Sequence, residues 1–145
     1  MRYLFYEDFM FIINLFNTYP KELRITFCIR EEADYHFLIG IFDALFNSDV
    51  KKYQRPYRCS YLSPNGVILS IYNYLVCDSS RINRSNLMVI DSEYSAIDLA
   101  EVWTPLCNLP PVIGVYHYTS SFKNEYENEM LRQVRGNEND NKESN

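Results

Sequence analysis

The chain's imidazoles are His36 and His117, and its thiols are Cys28, Cys59, Cys77 and Cys107. A general base, or a nucleophile paired with one, would be sought among these first. Asp34 stands two residues before His36, an offset that sends the two side chains to different sides of a helix. His117 sits in VYHYTS beside Ser120 and Ser121. Ser–His or Cys–His chemistry stays open there, because such partners meet in space and not in sequence. Each histidine also reads simply as a packed or surface ring. Tyr116-His117-Tyr118 offers a tyrosine for strand nicking, but that chemistry wants a metal-binding histidine pair, and the sequence spells none. The cysteine spacings of 31, 18 and 30 residues contain no CxxC or CxH pair. A Gly-rich phosphate loop, a nucleophile elbow and HExxH are also missing from the sequence. The expectation is a non-enzymatic protein with no catalytic residue, no metal and no cofactor.

Binding chemistry is better represented. The formal charge of −5 divides into −4 over residues 1–50, +5 over 51–90, −4 over 91–122 and −2 over 123–145. In the basic block Lys51, Lys52, Arg55 and Arg58 interleave with Tyr53 and Tyr57, and Arg81 and Arg84 follow. Cations among aromatics suit phosphates and bases. They suit an acidic or mixed protein groove equally well, since Arg and Tyr are common hot-spot residues. A solvated loop is the plain alternative. Glu125, Glu127 and Glu129 fall on one predicted helix, and Glu93, Asp98 and Glu101 on another. Carboxylates on a rigid helix could take the place of DNA phosphates in a basic channel; ordinary solubilisation is the alternative. Of the 13 tyrosines, Tyr94 and Tyr126 fall on apolar stripes, whereas Tyr53, Tyr57 and Tyr61 fall in the basic segment and are expected at a binding surface.

The elements that must position these groups read as mostly α. Phe5, Phe9, Ile12 and Phe16 recur at helical spacing up to Pro20. Residues 21–30 alternate like a strand, although Pro20-Lys21-Glu22 is also a good helix start. Phe37, Leu38, Ile41, Phe42 and Leu45 line one face of a helix over 31–47. Residues 48–63 read as a long loop, and Ser63-Pro64 as the cap of a helix carrying Val67, Ile68, Ile71, Tyr72 and Leu75. Residues 87–90 have no decisive period. A helix over 92–104 is expected to stop at Pro105, and a long one is expected after Pro110-Pro111, to about residue 134. GNENDNKESN has no apolar residue and is expected to be disordered. The sum is a single helical domain, 1–135: a bundle of four to five helices with a long basic loop at about 48–63 and a disordered polar tail, 136–145.

With 145 residues, 47% hydrophobic and 23% charged, the composition excludes a collagen-like chain or a coiled-coil rod. Glu7 and Asp8 interrupt the early apolar run, unlike a secretory signal, and no apolar stretch reaches the ~20 residues that span a bilayer. Four thiols in a reducing, intracellular setting, away from membranes, are expected.

The segments MRYLFYEDFMFIINLF, KKYQRPYR and NENDNKESN give the chain its resemblance to the RNA polymerase inhibitory proteins of archaeal two-tailed viruses that infect Acidianus. The resemblance covers the whole chain and carries no discrete motif, so it transfers no functional residues. It implies a helical bundle related to a virion protein of the same virus. It also implies binding in the DNA channel of host archaeal RNA polymerase, in the host cytoplasm, with template excluded and clamp motion restrained. A virion structural or DNA-coating protein is the alternative. The partner-binding residues expected are Lys51, Lys52, Tyr53, Arg55, Tyr57, Arg58, Arg81, Arg84, Glu125, Glu127 and Glu129.

Overall fold

Leu23, Ile25, Phe27 and Ile29 alternate with Arg24, Thr26 and Cys28, and the computed structural model makes this segment a strand, β1 (Leu23–Ile29). The structure describes residues 2–73 and 82–143, with side chains as far as 137. β1 lies inside a six-stranded mixed sheet, so the chain is α/β and not the expected helical bundle. The other strands are β2 (Lys51–Arg55), β3 (Arg58–Leu62), β4 (Val67–Asn73), β5 (Leu87–Asp91) and β6 (Gly114–Tyr118). Their order across the sheet is β2-β3-β4-β1-β5-β6. β4, β1, β5 and β6 run parallel, while β2 and β3 add an antiparallel hairpin at one edge.

Four expectations are corrected here. The long basic loop is the β2–β3 hairpin, turned at Pro56-Tyr57. The helix expected after Ser63-Pro64 is β4. Buried on both faces, a parallel strand reads as a near-continuous apolar run, and VILSIY fits helical spacing equally well. β-Branched Val67, Ile68 and Ile71 favour the extended form. The helix expected over 92–104 shrinks to α3 (Ala96–Asp98), a π turn at Leu99–Trp103 and a 3-10 turn at Thr104–Leu106. The long last element splits into β6 and then α4 (Ser121–Glu143), whose backbone runs on through 136–143 of the segment expected to be disordered, while 144–145 lie outside the described residues. Gly114, at φ +152°, opens β6 in a region of backbone space that side chains rarely enter.

The helices α1 (Tyr6–Thr18) and α2 (Glu32–Leu45) match their expected stripes except at Phe5, which caps α1 and is exposed. With α4 they cover one face of the sheet. Phe9, Ile12 and Phe16 of α1, Leu38 and Phe42 of α2 and Phe122 of α4 meet Ile25, Phe27, Leu69, Ile71 and Val89 there. On the second face a smaller cluster gathers Cys28, Tyr72, Met88 and Ile90 under Tyr94, Leu99 and Trp103. Tyr94 and Tyr126 are buried, as their stripes suggest. The edge at β6 is partly closed by the N-terminal segment: the Leu4 amide donates to the His117 carbonyl at 2.9 Å and the His117 amide to the Arg2 carbonyl at 2.8 Å. The edge at β2 carries lysines, a common guard against strand addition.

Candidate functional site

Every residue of β2 is exposed. This brings Lys51, Lys52, Tyr53 and Arg55 together on one strand, with Tyr57 in the turn and Arg58 opening β3. The register pairs Lys51↔Leu62, Tyr53↔Ser60 and Arg55↔Arg58 place Lys51, Tyr53, Arg55 and Arg58 on the second face, the face turned away from α1 and α2. Lys52 and Tyr61 point the other way. Lys52 Nζ lies 2.9 Å from the Asp43 carboxylate and Tyr61 donates to the same carboxylate at 2.7 Å. Tyr61 is therefore buried in the main core and not part of the expected tyrosine surface. Tyr57 is half-buried against the second cluster. Only Tyr53 of the three is exposed, at 47%.

The remaining expected residues scatter. Arg84 donates to the side chain and carbonyl of Asn108 at 2.6 and 3.0 Å, which fastens the segment before β5. Arg81 lies outside the described residues. Glu125 accepts the Tyr6 amide at 2.7 Å at the start of α1. Glu129 pairs with Arg132 at 3.0 Å, and Glu127 is exposed. α4 packs on the helical side through Tyr126 against Phe9 and Phe37, so these acids do not join the cations of the second face.

A cavity of about 250 Å³ lies on that face beside the hairpin, lined by Arg24, Thr26, Tyr53, Arg58, Ser60, Ser70 and Tyr72 among others. Its floor is a register row, Ser60↔Ser70↔Thr26. Ser60 and Ser70 share a hydrogen bond of 2.8 Å, and Thr26 and Ser85 one of 2.6 Å. The Nε of Arg58 is buried with no hydrogen-bond partner. Sequence reading missed Arg24 and this hydroxyl row. The signal was present, since alternation in 23–29 sets Arg24 and Thr26 opposite Leu23 and Ile25, but it needed the neighbouring strands to give it meaning. A second cavity, about 550 Å³, shares Arg24, Leu62 and Ile68 with the first and reaches Asn86 and Leu109. Buried Asn86 accepts the Arg24 amide at 2.7 Å and donates to the carbonyls of Leu109 and Pro111 at 3.0 and 3.2 Å. Asn86→Ala strands these groups and should cost about 2–3 kcal/mol in urea unfolding; a loss under ~1 kcal/mol would show that water replaces the amide.

Open α/β sheets commonly hold ligands at the carboxyl ends of strands where the strand order reverses, here between β1 and β5. The acids at that end are already engaged. Asp91 accepts the amides of Arg30 and Glu93 at 2.9 and 3.1 Å, and Asp34 accepts the Tyr118 hydroxyl at 2.9 Å. Burial holds the Asp91 carboxyl above its ordinary value, opposed by those two amides. Among the described residues no hydrogen bond joins either histidine to a serine or cysteine. His36 reaches Glu32 at 3.4 Å on the surface. The Nδ1 of His117 is buried without a partner, and desolvation lowers that ring's pKa. Cys28, Cys59 and Cys107 are buried, while Cys77 lies outside the described residues. Among the described residues no three His, Cys, Asp or Glu side chains are placed to hold a metal ion, and no helix is long and apolar enough to cross a membrane. Comparison with protein-family models, curated proteins and solved structures finds no match.

Proposed function

We propose that the chain is a non-enzymatic binding protein whose contact surface is the β2–β3 hairpin and the adjoining second face of the sheet. The observation that carries this is β2 itself: three cations and a tyrosine, all exposed, in five consecutive residues on a sheet edge. The partner proposed is the DNA channel of host archaeal RNA polymerase. The bundle implied by the resemblance is not this fold, so the partner rests on the resemblance of sequence segments and on the charge pattern. A basic hairpin meets acids near the polymerase metal site and rim, and the acids of α4 meet its phosphate-binding cations. Occupancy then excludes template and restrains the clamp without any chemistry.

Reversing Lys51, Lys52, Arg55 and Arg58 to Glu should weaken inhibition of promoter-complex formation by about tenfold or more, most strongly at low salt. The melting temperature, measured alongside, separates this from unfolding. A folded quadruple variant that inhibits at the wild-type concentration would remove the hairpin from the interface. The same strand also favours a DNA-coating role, since Lys51, Tyr53 and Arg55 share one face as a stacking platform between cations. Salt-sensitive DNA binding by the isolated chain, without polymerase inhibition, would decide for that role.

A further inference from the structure

The buried, unpartnered Nε of Arg58 asks for an acceptor. Arg58 as a whole is half-exposed, but an N–H removed from water without a hydrogen bond is costly, and native structures seldom leave one so. Among the described residues neither Arg58 nor Arg24 is in an ion pair. Both line the same cavity. Arg58 sits opposite Tyr72 and Arg24 opposite Ile68, four residues apart along β4, or about 13 Å at the usual strand rise. They also lie two strands apart across the sheet. The two cations thus stand at diagonal corners, with the hydroxyls of Ser60, Ser70 and Thr26 in a row between them. The cavity, about 250 Å³, admits one small molecule and not a folded segment. Tyr53 stands at its hairpin side with its ring half-exposed.

We propose that this cavity binds a phosphorylated compound of about mononucleotide size, with its phosphate on the Arg58 guanidinium and an aromatic ring against Tyr53. Arg58 supplies the planar fork that matches two phosphate oxygens. The hydroxyl row supplies donors and acceptors to the middle of the ligand. Arg24 holds polar or anionic groups at the far end, and Tyr53 offers a ring face for stacking. The site does not depend on the polymerase reading, and neither outcome decides the other.

The test is calorimetric titration of the intact chain with AMP, inorganic phosphate, citrate and a thymidine hexanucleotide, with melting temperatures recorded in parallel. AMP should bind and raise the melting temperature, and inorganic phosphate should bind more weakly. Arg58→Gln and Arg24→Gln should each weaken AMP at least about tenfold while the free protein melts as before. The Arg24 substitution leaves its backbone bond to Asn86 untouched. Tyr53→Ala should weaken AMP and leave inorganic phosphate unchanged. If Arg58→Gln lowers the melting temperature of the free protein, Arg58→Lys is read in its place: it keeps the charge, lacks the fork and should still bind AMP more weakly. A hexanucleotide bound more tightly than AMP, and lost with Arg58→Gln, supports the phosphate chemistry and makes a nucleic-acid strand its source. Citrate binding as well as AMP overturns the phosphate assignment. So does equal AMP affinity in the wild type and a folded Arg58 variant, or no response to AMP and phosphate at millimolar concentration.

Discussion

Phe42→Ala should destabilise the chain by about 3–5 kcal/mol, the usual cost of removing a fully buried phenylalanine. Phe42 has no exposed surface and lies among four other rings. It stacks on Phe9 at 5.7 Å and on Phe46 at 5.6 Å, and meets Phe27 and Tyr61 edge-on at 5.4 and 5.6 Å. These neighbours come from α1, the end of α2, β1 and β3, so one truncation opens a cavity where helices and sheet join. Surrounding rings are rigid and refill such a space poorly. Total stabilities are commonly only about 5–15 kcal/mol, so the variant should lose a large part of its margin. Urea unfolding followed by circular dichroism measures this. A loss below ~1.5 kcal/mol would show that the ring cluster relaxes around the gap. Phe42→Leu should cost less, because most of the volume stays.

The same cluster couples the core to the hairpin. Tyr61 packs against Phe42 and Phe46, and its hydroxyl and Lys52 share the Asp43 carboxylate on α2. α2 therefore fixes β3, and β3 carries β2 through its ladder. The exposed cations owe their placement to this buried anchor. A core variant that stays folded should keep partner binding, whereas a charge variant at Lys51 and Arg55, away from the Lys52–Asp43 contact, should lose binding and keep stability.

How much of this was legible in the chain depends on the period of each segment. α1 and α2 announce themselves because one apolar stripe faces a single sheet, with Phe9, Ile12 and Phe16 or Leu38 and Phe42 on it. β4 and β5 do not, because both of their faces are buried and the run carries no alternation. β2 fails for the opposite reason: an exposed edge strand needs no apolar face, so KKYQR reads as loop. Of the candidate site, the hairpin cations were visible as a charge block. Arg24 and the hydroxyl row were not, because β1, β3 and β4 bring them together only through strand pairing, with Arg24↔Ile68 and Thr26↔Ser70 far apart in sequence, and no local period records that. Tyr61 was misplaced because its basic neighbours suggested a surface, while strand alternation sends it inward beside Cys59.

Raising the pH above 10 should unfold the protein steeply. Tyr61 and Tyr118 are buried, and desolvation first, then the neighbouring carboxylates of Asp43 and Asp34, push both hydroxyls far above the ordinary tyrosine value. In the unfolded chain the same groups titrate near 10. Above that pH the unfolded state loses these protons while the folded state keeps them. The unfolded state thus binds fewer protons, and unfolding free energy falls as pH rises, by about 1.4 kcal/mol per pH unit for each group. The contribution is fully present below pH 10 and is lost as pH climbs toward the folded values. Tyr118→Phe should therefore be less stable than wild type at pH 7, since Asp34 loses its 2.9 Å donor, yet lose stability more slowly above pH 10. Tyr61→Phe should behave likewise through Asp43. Urea midpoints from pH 8 to 11.5, read with tyrosinate absorbance, test this directly. Parallel pH profiles for wild type and both phenylalanine variants would mean that the two hydroxyls ionise within the folded protein and that their burial does not set its alkaline limit.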